Sequence, residues 1–173
     1  GVGGLAQGFK ETKKFNTLLA NDVDEDMCKA FKLNFPQTKV ICDNIANIPF
    51  KKIIKKKVDV IIGGPPCQAY SVAGRIRDKE GMKNDYRNYL FESFLKIINL
   101  TNPKIFVMEN VPGILSAKPG DILVTDRIKS AVNKISYYIP NDLSKCIFDL
   151  SKYNIPQKRK RVIIFGVSKK IKN

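Results

Sequence analysis

Residues 58–62 read VDVII, four β-branched apolar side chains around one aspartate, and the run stops at Gly63-Gly64-Pro65-Pro66. An apolar run without regular alternation suits a strand covered on both faces, the usual state of a strand in a parallel sheet. The two prolines fix φ and lack N–H donors, so neither a helix nor a strand ladder continues through them. The chain must therefore leave the sheet at this point, and it does so with Cys67 as its next residue. In open α/β sheets the ends of the strands are where substrates sit. One short segment thus predicts both a strand class and the place to look for chemistry.

The rest of the chain alternates short apolar runs with amphipathic stretches, as an α/β domain does. A helix is expected over residues 5–14 after a Gly-rich turn, and a strand over 15–20, ending at Asn21-Asp22. Asp24 can cap a helix carrying Met27, Ala30, Phe31 and Phe35 at helical spacing. Residues 39–42 form a short strand, 89–99 a helix packed on the sheet, and 105–108 a second buried strand. A helix is expected over 121–138, stopped by Pro140. Residues 145–150 and 161–167 look like a closing pair of strands, and 74–88 read as a loop. The 173 residues suffice for one domain with a core and are too few for two ordinary ones.

Net charge is +15, from 31 Lys and Arg against 16 Asp and Glu, and it is clustered as KKIIKKK (51–57) and QKRKR (157–161). Clusters of this kind gain by releasing counterions from a polyanion, which points to nucleic acid; a merely solvated surface is the plainer reading. No apolar run approaches the about 18 residues of a membrane span. The four cysteines (Cys28, Cys42, Cys67, Cys146) are far apart, with no closely spaced pair to begin a zinc site. Nothing suggests secretion, so reduced thiols are expected. The chain has no histidine, which removes His-based triads and His-ligated metals. Any chemistry runs on Cys, carboxylates, Arg or Lys, and no metal is expected.

Cys67 is the first candidate. A buried cysteine commonly serves as a small apolar side chain, but behind two prolines at a strand end its thiol is presented on a stiff support. A thiolate is then the best nucleophile that a histidine-free chain can offer near neutral pH. Glu109 is the second: the apolar run IFVM leads into it, and Asn110 and the turn Val111-Pro112-Gly113 follow. A carboxylate at a strand's end is ordinarily solvated, whereas one closing an apolar strand at the ligand edge can serve as a site group.

GGPPCQAYS (63–71), VMENVPG (107–113) and IPQKRKRV (155–162), in this order, resemble the central motifs of DNA cytosine-5 methyltransferases. The opening GVGGLAQGF is similar to the later part of that family's Gly-rich cofactor motif. NDVDEDMCKAFKLNFP (21–36) resembles the segment after the second strand, and DYRNYLFESFLKII (85–98) the helix after the catalytic loop. The likeness covers nearly the whole chain.

The resemblance implies a Rossmann-like, S-adenosylmethionine-dependent fold, a mostly parallel sheet with helices on both faces. Residues 1–173 would form a single, incomplete catalytic and cofactor-binding domain. It assigns the catalytic set to Cys67, Glu109, Arg159 and Arg161, the last ordering the Glu109 end of the site and Arg159 contacting a flipped-out cytosine. Gly1, Gly3, Gly4, Asp22, Val23, Asp43, Pro65 and Leu90 would hold S-adenosylmethionine. Pro66, Gln68, Ser71, Asn110, Val111 and Gln157 would meet the substrate. The implied partner is double-stranded DNA in a bacterial cytosol, in a restriction-modification setting. The family's first strand and its target-recognition region are expected to lie outside this segment, in a longer chain or in a second one. Two alternatives share the motifs: a transfer RNA cytosine-5 methyltransferase, and a nucleic-acid-binding module without catalysis.

Overall fold

The computed structural model describes residues 1–66, 90–118 and 121–171. Cys67, Gln68, Ser71 and the expected loop 74–88 lie outside the described residues. The chain divides into two compact units, Gly1–Lys55 and Lys56–Asn173.

The first unit runs α1 (Gly4–Glu11), β1 (Leu19–Asp22), α2 (Glu25–Asn34), β2 (Lys39–Cys42) and the short α3 (Phe50–Ile53). β1 and β2 pair in parallel, with Leu19 opposite Lys39 and Asp22 opposite Cys42. The helix between them starts as its sequence dictates. Asp24 stands in extended conformation, and its carboxylate accepts from the N–H groups of Asp26 (2.9 Å) and Met27 (3.0 Å). Glu25 and Asp26 add negative charge where the helix dipole is positive. Phe31 and Phe35 are buried and stack at 4.7 Å. Removing the cap in Asp24→Ala is expected to cost about 1 kcal/mol, read as a lower urea midpoint; an unchanged midpoint would show that the cap does not hold the helix.

β1 begins four residues later than the sequence reading placed it. Phe15 is diverted to an edge-on contact with Phe9 of α1, 5.1 Å between ring centres. Lys13, at φ 57, turns the chain before it.

The second unit holds β3 (Val60–Gly63), α4 (Leu90–Thr101), β4 (Ile105–Asn110), α5 (Val124–Lys134), β5 (Tyr137–Tyr138), β6 (Ile147–Asp149) and β7 (Lys160–Ser168). The strand order is β3-β4-β7-β5, with β6 also paired to β7. β3 and β4 are parallel, and β7 runs antiparallel to β4, β5 and β6. The parallel frame expected from the sequence is therefore completed by β7 as a mixed α/β sheet.

On α4, Phe91, Phe94, Leu95 and Ile98 recur at helical spacing, and all are buried. They meet Phe106 and Met108 of β4, Val162 and Ile164 of β7, and Val124, Ile128 and Val132 of α5 in one core. Each such side chain contributes about 1.5–3 kcal/mol when fully withdrawn from water. α5 ends at Lys134, short of the expected 138, because Ser136 takes a left-handed φ of 63. Tyr137 and Tyr138 then pair with Ser168 and Val167. The buried Tyr137 hydroxyl donates to the Pro103 carbonyl at 2.6 Å.

Side chains alternate across a strand. With Phe106, Met108, Val162 and Ile164 all facing the helices, Glu109 and Arg161 fall on the opposite face, at the carboxyl end of β4.

Candidate active site

β3 and β4 run side by side with Gly63 opposite Met108, so both leave the sheet at the same end. Beyond this pairing, Gly64-Pro65-Pro66 and the last residues of β4, Glu109 and Asn110, are thereby brought together. A Cβ on Gly64 would stand 3.0 Å from Oε2 of Glu109. The side chain of Asn110 completes the join. Its Nδ2 donates to the Pro65 carbonyl at 3.2 Å, and its Oδ1 accepts from the Val111 N–H at 2.9 Å. Asn110 is only 4% exposed, so its amide is used inside the protein. Asn110 thus ties the proline turn to the end of β4, and the residue after that turn is Cys67.

Oε1 of Glu109 is paired with Nε of Arg161 at 2.8 Å, and the two side chains are 27% and 21% exposed. β7 provides this alignment: Glu109 is opposite Ile163, which leaves Arg161 two residues further along the same face. Nη1 of Arg161 also donates to the Lys160 carbonyl at 2.8 Å, which fixes the guanidinium plane. The pair holds the carboxylate in one orientation and leaves its second oxygen beside Gly64. Arg159 and Gln157 are exposed. The Arg159 carbonyl accepts from the Leu150 N–H at 2.9 Å, so its backbone is anchored. Pro65 and Leu90 are half-buried, and Pro66 is exposed.

In the first unit the residues expected at a cofactor gather at the ends of β1 and β2. Nδ2 of Asn21 donates to the carbonyls of Ile41 (3.0 Å) and Asp43 (2.8 Å), and the Asp43 N–H to the Asp22 carbonyl (3.1 Å). These bonds tie the ends of β1 and β2 together at Asp22 and Asp43. Val23 is 71% exposed despite its apolar side chain. Asp22 accepts the Asp24 N–H at 3.1 Å. Asp43 Oδ1 accepts from the N–H of Asn44 at 2.6 Å.

Gly3 precedes α1 at φ 100, and a Cβ there would lie 2.5 Å from the Phe35 ring. Both conformation and packing require glycine. A side chain at Gly4 would meet no protein atom within 4 Å, so packing does not explain that glycine. Two features were not anticipated from the sequence: the approach of Gly64 to Glu109, and a meeting of Cys28 with Cys42 described below. Among the described residues, no group of three or more His, Cys, Asp or Glu could hold a metal ion, and no helix is long and apolar enough to cross a membrane.

The profile of C-5 cytosine-specific DNA methylases matches residues 1–173. The Type II methyltransferase M.Bpa9945I of Bacillus paralicheniformis is 47% identical over 118 residues, covering 66% of this chain and 26% of its own. The Type II methyltransferase M.DdeI of Desulfomicrobium norvegicum is 37% identical over 172 residues, covering 96% of this chain and 39% of its own. A crystal structure of a DNA modification methyltransferase encoded within a prophage (E. coli) superposes with a TM-score of 0.79 at 28% identity. It covers 98% of this chain and 44% of the other. This chain thus spans less than half the length of these three relatives. With the profile matched from end to end and these relatives sharing the segment, the chain belongs to the C-5 cytosine-specific DNA methylase family.

Proposed function

We propose that these residues are the catalytic core of an enzyme that methylates carbon-5 of cytosine in duplex DNA. The observation that carries the reading is the Glu109–Arg161 pair at 2.8 Å, beside the Gly64-Pro65-Pro66 turn that leads directly to Cys67.

Carbon-5 of cytosine is too weak a nucleophile to take a methyl group unaided. In this reading the Cys67 thiolate adds to carbon-6 and electron density moves to carbon-5. Glu109 faces the N3 edge of the ring and its exocyclic amine, and stabilises the charge that addition creates. Arg161 acts through Glu109, as a positioning residue, and Arg159 approaches the base from the same segment. Once carbon-5 is alkylated, loss of its proton restores the double bond and expels the cysteine thiolate. Inside a stacked duplex neither face of the ring is accessible, so the base must be flipped out.

The first unit fits S-adenosylmethionine: exposed Val23 offers an apolar face to adenine, and Asp22 and Asp43 offer acceptors. Gly1, Gly3, Gly4, Pro65 and Leu90 complete the proposed set. When bound, this donor supplies a methyl group on a positively charged sulfur. Gln68, Ser71, Pro66, Val111 and Gln157 are assigned to DNA or to the closing loop, and the exposed lysines at 51–57 and 157–161 to its phosphates. The enzyme would work in a bacterial cytosol, with a further region or a second chain supplying sequence recognition.

Incubating the whole protein with methyl-labelled donor and either duplex DNA or transfer RNA tests the reading. Label should enter DNA as 5-methylcytosine; label entering transfer RNA, or neither polymer, would contradict it. Gly64→Ala sharpens the test at the site. The new methyl group must push the Glu109 carboxylate by a few tenths of an ångström, because 3.0 Å is closer than ordinary contact. Stability should change by under about 1 kcal/mol, while transfer falls about tenfold through misplacement. Full activity would show that Glu109 tolerates the shift.

A further inference from the structure

Two thiols with no part in methyl transfer meet at the end of the β1–β2 pair. Cys28 lies in the first turns of α2, and its Sγ donates to the Asp22 carbonyl at 3.5 Å. Cys42 is the last residue of β2, opposite Asp22 in the ladder, and its Sγ donates to the Val23 carbonyl at 3.7 Å. The sulfurs thus cap two consecutive carbonyls, which brings the two thiols to the same end of the β1–β2 pair. Their surroundings differ. Cys28 is 7% exposed, whereas Cys42 is open to solvent. Burial, and next the neighbouring Cys42, push the Cys28 thiol up, so at neutral pH it rests protonated.

We infer that Cys28 and Cys42 form an oxidisable dithiol, which closes to an intramolecular disulfide when the protein meets a peroxide. The accessible Cys42 attacks first as its thiolate: its sulfur takes one oxygen from hydrogen peroxide and becomes a sulfenic acid, and one water leaves. The Cys28 sulfur, giving up its proton, then attacks the Cys42 sulfur and expels the second water. Two thiols and one peroxide give one disulfide and two waters, the two electrons passing from the sulfurs to the peroxide. A thiol reductant reverses the bond by exchange. A disulfide of this kind in a reducing compartment is transient and sensory rather than structural.

Closing the bond removes both S–H donors from the Asp22 and Val23 carbonyls. Under the proposed function, on which this consequence alone rests, those residues receive the ribose and adenine of the donor. Oxidation therefore weakens donor binding.

The cysteines fall in separate tryptic peptides, residues 15–29 and 40–51, so the linkage can be read directly. After peroxide treatment and alkylation of the whole protein, non-reducing mass spectrometry should find these two peptides joined, with a mass two hydrogens below their sum. Dithiothreitol should separate them, and Cys42→Ser should prevent the link. Linkage of Cys28 or Cys42 to Cys67 or Cys146 instead, or Cys42 oxidised alone with Cys28 still free, would overturn the inference. The second arm measures S-adenosylhomocysteine binding by calorimetry. Affinity should fall at least tenfold on oxidation of the wild type and hold steady in peroxide-treated Cys42→Ser. Equal affinity with the 15–29/40–51 link in place would overturn the regulatory consequence. Failure of the reduced protein to bind S-adenosylhomocysteine would count against the cofactor reading, and the peptide map would still decide the dithiol.

Discussion

Gly166→Ala is expected to remove much of the stability of the Lys56–Asn173 unit. Gly166 sits opposite Phe106 in the β4–β7 ladder, and the Phe106 ring occupies the space a side chain there would need. A Cβ would come within 1.9 Å of one ring carbon and 2.2 Å of another, well inside any van der Waals contact. The ring has nowhere to move. It is fully buried and packs edge-on against Phe94 at 6.2 Å and tilted against Tyr137 at 5.6 Å. Overpacking a core ordinarily costs about 1–3 kcal/mol and occasionally more. With three aromatic rings interlocked, the upper end or beyond is expected, about 4 kcal/mol, against a total stability of about 5–15 kcal/mol. Insoluble expression, or a fall in melting temperature beyond about 10 °C, checks this. Gly8→Ala is the control, because a Cβ there meets no atom within 4 Å and a mid-helix alanine gains about 0.5–1 kcal/mol over glycine. A Gly166→Ala protein as stable as that control would refute the packing account.

The second large effect is on rate. Arg161→Ala removes the partner of Glu109. Both side chains keep about a quarter of their surface in water, so solvent screens the lost charge and the stability cost is about 1 kcal/mol or less. Catalysis is more exposed to the change. An unanchored carboxylate rotates, and a preorganised charge stabiliser becomes one that must be organised during the reaction. Removing such a contact typically lowers turnover about 10²–10³-fold, and that loss is expected in kcat with little change in KM for DNA. Arg161→Lys should recover only a small part, since an ammonium cannot reproduce the fixed Nε geometry or the bond to the Lys160 carbonyl. Wild-type turnover in Arg161→Ala would show that the pair is merely structural.

Local rules made some elements legible in the sequence. β2 occupies the expected residues 39–42, and Asp24 caps α2 as its residue type and position suggested. Elements set by distant contacts were less legible. β3 runs to Gly63 rather than Ile62, because its register with β4 extends to Met108. β1 lost Phe15 to Phe9, and α5 gave up its end to a strand pairing with Ser168. The glycine at 166 looks like an ordinary strand interruption until Phe106, 60 positions away, is placed over it. At the site, the motifs named Glu109 and Arg161 through resemblance, and a direct ion pair joins them. The part taken by Asn110 was hidden. The resemblance assigned it to the substrate, and only its burial and its bond to the Pro65 carbonyl show the tie as well. Gly64 was hidden for the same reason, its neighbour lying on another strand.

The central claim is that Cys67 bonds covalently to a cytosine. Duplex DNA carrying 5-fluorocytosine at the target position tests it most directly, because fluorine cannot leave carbon-5 as a proton does and the adduct should persist. With donor present, the wild-type protein should migrate as a protein–DNA species stable to denaturant, with the cross-linked peptide containing Cys67. Cys67→Ser should form none. An adduct that maps to Cys28, Cys42 or Cys146, or methylation that proceeds in Cys67→Ser, would contradict the account.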